Sequence, residues 1–253
     1  MMNFKKNAIY LVAAASVSMF AGSISAQDGK VGSGAAGVLT SANGQVVESF
    51  DATPVPRGVS LECVSMAGLA SWDFQGDSDN VVIELDIGPG NALTGVGFDL
   101  GMETVGISWL SEVTILHSDS TGPADVNGIL LTPGFGDDFS GSSEYSSLGI
   151  VDFSDLMLPE PVAGPDGILR LEIYEVGFDD NPDAIDANMR NAAKPAICGG
   201  LALACSDQDA CNAAIRGGPG FEVQPVQTNN SWALMMLVLA LASLGLVAVR
   251  RFA

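Results

Sequence analysis

The chain of 253 residues is short of positive charge: 10 Lys and Arg stand against 30 Asp and Glu, a net charge of −20. A nucleic-acid backbone or an anionic lipid surface is thereby excluded as a natural partner, because like charge repels. Histidine is almost absent. The single residue, His117, supplies no His-Glu-x-x-His zinc motif. There is no Gly-x-Ser-x-Gly elbow either. His117, Ser118 and Asp119 are neighbours along one predicted strand, where side chains alternate between faces, so they make no Ser–His–Asp triad. His117 reads as a surface histidine. Aromatic residues make up only 7%. Trp72, Trp109 and Tyr174 therefore read as core or turn packing before they read as a sugar-stacking platform. No pair of carboxylates is singled out for glycoside hydrolysis, and the chain reads as a non-enzyme.

Cysteine is sparse but even in number. Cys63, Cys198, Cys205 and Cys211 allow up to two disulfides in three connectivities. The preferred pairing closes Ser206–Ala210 with Cys205–Cys211 and joins Cys63 to Cys198. A thiolate metal site is disfavoured, since His117 lies in a different segment and thiols oxidise after export.

Long apolar runs occur only at the two ends. Residues 1–26 have the make-up of a secretory signal peptide: Lys5 and Lys6, an apolar stretch from Ala8 to Gly22, then small residues before a cut between Ala26 and Gln27. Trp232 to Val249 is eighteen residues without a charge, ending on Arg250 and Arg251. A helix of that length covers roughly 27 Å, enough for a thin hydrocarbon core, and the arginines favour the cytoplasmic side. The two ends carry four of the basic residues and no acid, which leaves 6 basic against 30 acidic residues on the body, a net −24.

Just ahead of the apolar run stands Val226-Gln-Thr-Asn-Asn-Ser-Trp-Ala-Leu, and the run closes on Gly245-Leu-Val-Ala-Val-Arg-Arg251. This tail, residues 226–253, closely resembles the IPTL-CTERM sorting domain, a relative of the PEP-CTERM signals of Gram-negative bacteria. Val226, Thr228, Trp232, Arg250 and Arg251 fall on motif positions; Gln227 stands where the family has Pro, and Ser231 where it has Glu. The resemblance implies a precursor held transiently in the inner membrane. An exosortase-type enzyme then cuts it and passes the body to the cell surface or beyond.

Between the ends, residues 27–45 are rich in Gly, Ser and Ala and read as flexible. Residues 46–178 alternate short β-branched and aromatic segments with Gly, Pro, Asp and Asn turns. Strands are predicted at Val46–Phe50, Val59–Cys63, Ser71–Phe74, Val81–Ile87, Leu93–Leu100, Val105–Leu110, Glu112–Leu116, Ile129–Thr132, Leu148–Phe153 and Ile168–Phe178. Ile83, Leu85 and Ile87 alternate with Glu84 and Asp86, and Leu169, Leu171 and Ile173 with Arg170, Glu172 and Tyr174. The expected fold is all-β: an antiparallel β-sandwich, jelly-roll or Greek-key, with a C-terminal transmembrane helix over 232–249. A closed barrel is the alternative. Residues 179–216 read as an acidic loop and a cross-linked, Cys-containing appendage with a short helix near Asp207–Ile215, and 217–230 as a linker.

The most ligand-like run is Asp179-Asp-Asn-Pro-Asp-Ala-Ile-Asp186, where Asp179, Asp180, Asp183 and Asp186 offer oxygen ligands to Ca²⁺ without the spacing of an EF-hand. Asp73, Asp77 and Asp79 form a second candidate, and Asp137 with Asp138 a third. The reading that emerges is an exported cell-surface or extracellular-matrix protein with a structural or interaction role, its partners extracellular polysaccharide or surface proteins. A Ca²⁺- or carbohydrate-binding module is the first alternative, and a secreted carboxylate-dependent hydrolase the second.

Overall fold

A computed structural model describes residues 37–48, 52–55, 61–177 and 184–217. In chain order its strands are β1 (Val38–Ser41), β2 (Val46–Val47), β3 (Cys63–Val64), β4 (Ala70–Ser71), β5 (Val81–Asp86), β6 (Leu93–Thr104), β7 (Val113–Asp119), β8 (Ile129–Thr132), β9 (Ser142–Ser146), β10 (Val151–Asp152), β11 (Ile168–Glu175), β12 (Ala187–Asn191) and β13 (Leu201–Cys205), followed by the helix α1 (Gln208–Gly217). The expected signal peptide and sorting tail, with the helix over 232–249, lie outside the described residues. Among the described residues no helix is long and apolar enough to cross a membrane.

The strands make two antiparallel sheets. The first has the order β2-β1-β8-β7-β11-β5, and the second β3-β13-β6-β12-β4, with β9 and β10 also on β6. Alternation decides which side chains meet between them. Leu169, Leu171 and Ile173 of β11 sit opposite Ile115 and His117 of β7 and Val81, Ile83 and Leu85 of β5, and this face packs on Val96, Phe98, Leu100 and Met102 of β6. The all-β expectation holds in this form, two packed antiparallel sheets with little helix.

β6 is the spine of the second sheet. On one side β12 pairs with its C-terminal half and β13 with its N-terminal half; on the other β9 and β10 divide it in the same way. Both pairs of flanking strands break beside Asp99, whose buried carboxylate holds the breaks in place. Oδ1 accepts the Ser146 hydroxyl at 2.5 Å, and Oδ2 accepts the backbone N–H groups of Ile197 at 2.5 Å and Cys198 at 3.3 Å. On the same outer face glycine is required at 97: a Cβ there would lie 2.7 Å from the Gly149 carbonyl oxygen and 2.8 Å from Cδ1 of Ile197. The segments around Gly149 and Ile197 therefore lie directly on the sheet.

Several expectations are corrected. The sandwich is wider than 46–178: β1 falls in the segment read as flexible, and β12 and β13 belong to the second sheet, not to an appendage. Val105–Leu110 is a loop, not a strand, because Gly106 takes a left-handed φ of 69° and turns the chain. His117 is buried within β7, not on the surface. Its side chain is on the core face, Nδ1 lies 3.2 Å from the Ile129 carbonyl oxygen, and burial lowers its pKa to about 4. The ring is therefore neutral at ordinary pH.

The expected short helix is present as α1. Asp207 Oδ1 accepts the Ala210 N–H at 3.0 Å, satisfying an otherwise unpaired donor of the first turn. The helix packs on β5, β13 and β3, covering the gap between the edges of the two sheets. Cys211 and Asn212 face inward, and Asn212 Oδ1 accepts the Glu62 N–H and a Gln208 amide N–H.

Two large apolar residues have left-handed backbone: Leu148 at φ 62° and Met157 at φ 55°. Leu148 is 71% exposed, so it gains little packing in return for a conformation that costs an L-residue roughly 1–2 kcal/mol. Leu148→Gly is expected to raise stability by about 0.5–1 kcal/mol, after allowing for the greater chain entropy of glycine. Denaturant titration checks this, and a lower midpoint would show that the side chain makes a stabilising contact.

Candidate functional site

Several acidic side chains gather where the turn between β4 and β5 meets the C-terminal end of β11. Glu172, on the outer face of β11, fixes that turn. Its Oε1 accepts the Gly76 N–H at 2.5 Å and an Asn80 amide N–H at 3.0 Å, while its Oε2 pairs with the Arg170 guanidinium at 2.6 Å. Asn80 closes the turn from inside, accepting the Asp73 N–H and donating to the Phe74 carbonyl. The result brings one carboxylate oxygen each from Asp73, Asp77 and Asp79 within 4.8 Å of one another. This is the second of the expected carboxylate clusters. Asp77 and Asp79 stand in solvent, and such a turn specifies no cation by itself.

A different group lies behind it, between the sheets. Alternation along β11 carries on past Leu171 and Ile173, so Glu175 points inward with them, and it is only 1% exposed. Its carboxyl faces Asp186, which leads into β12, and Glu112, which precedes β7. Burial, then the charge of Asp186, then that of Glu112, raises its pKa well above the usual carboxylate range. Backbone bonds fix the three positions: Glu175 N–H to the Asp73 carbonyl, Asp186 N–H to the Ser71 carbonyl, and Val176 N–H to the Glu112 carbonyl. The Ser108 hydroxyl donates to Asp186 Oδ1 at 3.3 Å, and Glu112 Oε2 accepts the Trp109 N–H at 2.6 Å.

The sequence-predicted residues are thus only partly brought together. Asp179, Asp180 and Asp183 lie outside the described residues, as do Ala26, Gln27, Val226, Thr228, Trp232, Arg250 and Arg251. Asp186 is not part of an exposed loop but is buried at 2%, held by Ser108. Asp137 and Asp138 are separated by their partners: Asp137 Oδ2 accepts the Tyr145 hydroxyl at 2.7 Å, while Asp138 Oδ1 accepts that of Ser111. Tyr174 is buried, which removes it as a stacking surface; Trp72 is half-buried and Trp109 is 45% exposed. Ser118 and Asp119 bond away from His117, to the Arg170 carbonyl and to Thr121. The pairs Cys63–Cys198 and Cys205–Cys211 are both formed, with Cα–Cα separations of 6.1 and 6.2 Å.

Glu175 and Glu112 were not singled out in the sequence. The signal was the period-two pattern itself, which, extended two residues past Ile173, puts an acid on the core face. Comparison with protein-family models, curated proteins and solved structures finds no match.

Proposed function

We propose that the chain is the precursor of an exported cell-surface or matrix protein, with a structural or interaction role and no catalysis of its own. The supporting observation is the pair of disulfides, one joining residues 135 apart in sequence. Such a bond persists in an oxidising compartment and not against cytosolic thiols. The body's net charge of −24 suits a soluble globule among like-charged surfaces. In this reading the tail helix over 232–249 anchors the precursor in the inner membrane of a Gram-negative cell until an exosortase-type enzyme removes it.

Substituting Trp232 with Ala and both Arg250 and Arg251 with Gln is expected to leave an unprocessed precursor in the membrane fraction. Intact-mass measurement of membrane and culture fractions reads the two cut sites directly. Release of the variant at the wild-type mass would remove the proposal. A second reading, a cation-binding module, is favoured by the buried carboxyl groups behind the β4–β5 turn. The hydrolase reading gains no support from those groups, since Glu175 and Asp186 are closed off from solvent.

A further inference from the structure

We propose that the space between the sheets bounded by Glu175, Asp186, Ser71 and Ser108 is a binding site for a hard divalent cation, Ca²⁺ being the extracellular ion of that chemistry. This rests on the cation-binding reading and not on the route by which the protein is exported. Glu175 faces Asp186, the Ser108 hydroxyl bonds Asp186, and Ser71 lies on the inner face of the strand that packs on β11. Glu175 comes from β11 of the first sheet, and Ser71 from β4 and Asp186 from the approach to β12 in the second. Ser108 comes from the loop between β6 and β7. Ser71 lies directly opposite Ala187, a core residue, so its side chain shares the inner face, and β4 packs against β11 at this end.

What points to a ligand is a shortage of donors. Neither carboxyl oxygen of Glu175, at 1% exposure, receives a hydrogen bond from a described N–H or hydroxyl group, the only side chains it faces being the carboxyl groups of Asp186 and Glu112, and the Ser71 hydroxyl, at 0%, has no partner among the described residues. Native interiors seldom leave such atoms unmet, and each costs on the order of 1–3 kcal/mol. Among the described residues no Lys or Arg pairs with Glu175: Arg170 is on the outer face of β11, engaged with Glu172.

Two species can fill the shortage, a proton or a cation. Protons shared between Glu175 and Asp186 and between Glu175 and Glu112 pair the carboxyl groups and leave the Ser71 hydroxyl as it was. A cation with one or two waters meets all of them at once. The donor set is oxygen throughout, two carboxylates and two hydroxyls, which suits Ca²⁺ and offers nothing to a soft metal. Glu112 stands behind Glu175 as further negative charge. The site differs from the Asp73, Asp77 and Asp79 turn, whose carboxylates sit in a separate group on the outer side of β11.

The test is calcium titration of the full-length chain in mild detergent, followed by thermal melting and by isothermal calorimetry. Extracellular calcium sites have dissociation constants of about 10⁻⁴–10⁻³ M. With calcium in about hundredfold excess over such a constant, the melting temperature is expected to rise by roughly 5–10 °C. The rise and one calorimetric site should persist in D77N/D79N and vanish in E175Q, whose amide supplies the missing donor. E175Q should melt at or above the calcium-free wild type. If E175Q does not fold, the calorimetric site retained by D77N/D79N decides alone. Loss of the rise in D77N/D79N would assign the calcium to the exposed turn and overturn the proposal. So would a flat wild-type response up to about 10 mM calcium, which would leave a shared proton as the only occupant.

Discussion

Replacing both Cys63 and Cys198 with serine is expected to lower stability by about 3–5 kcal/mol, the largest effect foreseen for any pairwise change in the body. The size follows from the loop the bond closes. A cross-link across 135 residues removes a great deal of freedom from the unfolded chain, and the chain-entropy relation gives roughly 5 kcal/mol for it. The same relation gives only about 2 kcal/mol for Cys205–Cys211, which closes 6 residues. The two bonds also hold different things. Cys198 belongs to the segment laid over the outer face of the second sheet, while Cys63 sits in β3, a two-residue edge strand with little pairing of its own. Losing the long bond therefore frees an edge as well as a loop. Guanidinium titration of the two double variants, each against the wild type, reads the difference. Equal losses would show that residual structure in the unfolded chain, and not loop length, sets the stabilisation.

Asp99→Ala should come close to it, at about 3–4 kcal/mol. The Asp99 carboxylate is 1% exposed and accepts three hydrogen bonds from two segments at once. Truncation strands the N–H groups of Ile197 and Cys198, and leaves the Ser146 hydroxyl to find another acceptor. Asp99→Asn is expected to lose nearly as much, since its amide turns an N–H toward a donor on one side. The reading is a fall in denaturation midpoint together with faster hydrogen exchange at Ile197 and Cys198, while β7 and β11 stay protected. A loss below 1 kcal/mol would mean that water replaces the carboxylate and that the breaks in the flanking strands hold themselves.

How much of this was legible in the sequence varies by element, and the reason is packing. β5, β8 and β11 are plain in the sequence because each buries one face with branched side chains, so their alternation survives. β9 and β12 are not. Ser142-Ser-Glu-Tyr-Ser and Ala187-Asn-Met-Arg-Asn carry two large inward residues between them, Tyr145 and Met189, because β6 supplies the bulk on that face. β13 reads as part of an alanine-rich appendage, yet Ala202 is fully buried beside the glycines of β6, where small side chains let other segments lie close. The preferred disulfide pairing, one of three open to four cysteines, is the one formed. The buried acids could not be foreseen from composition, since 30 acidic residues hide the few that are buried, Glu175 and Asp186 among them. For Glu175, its register in β11 gives it away.

The spine strand has a timing problem built into it. β6 ends at Thr104, but every neighbour it pairs with comes later in the chain, and the last of them, β13, starts at Leu201. At ribosomal speeds of about 5–20 residues per second, β6 waits on the order of 5–20 s for its full set of neighbours. If the chain is exported as proposed, that delay keeps it from locking shut while half of it is still inside a translocation pore. The same delay leaves a long unpaired strand open to other chains, so slow passage or a stalled ribosome should show first as clumping through β6.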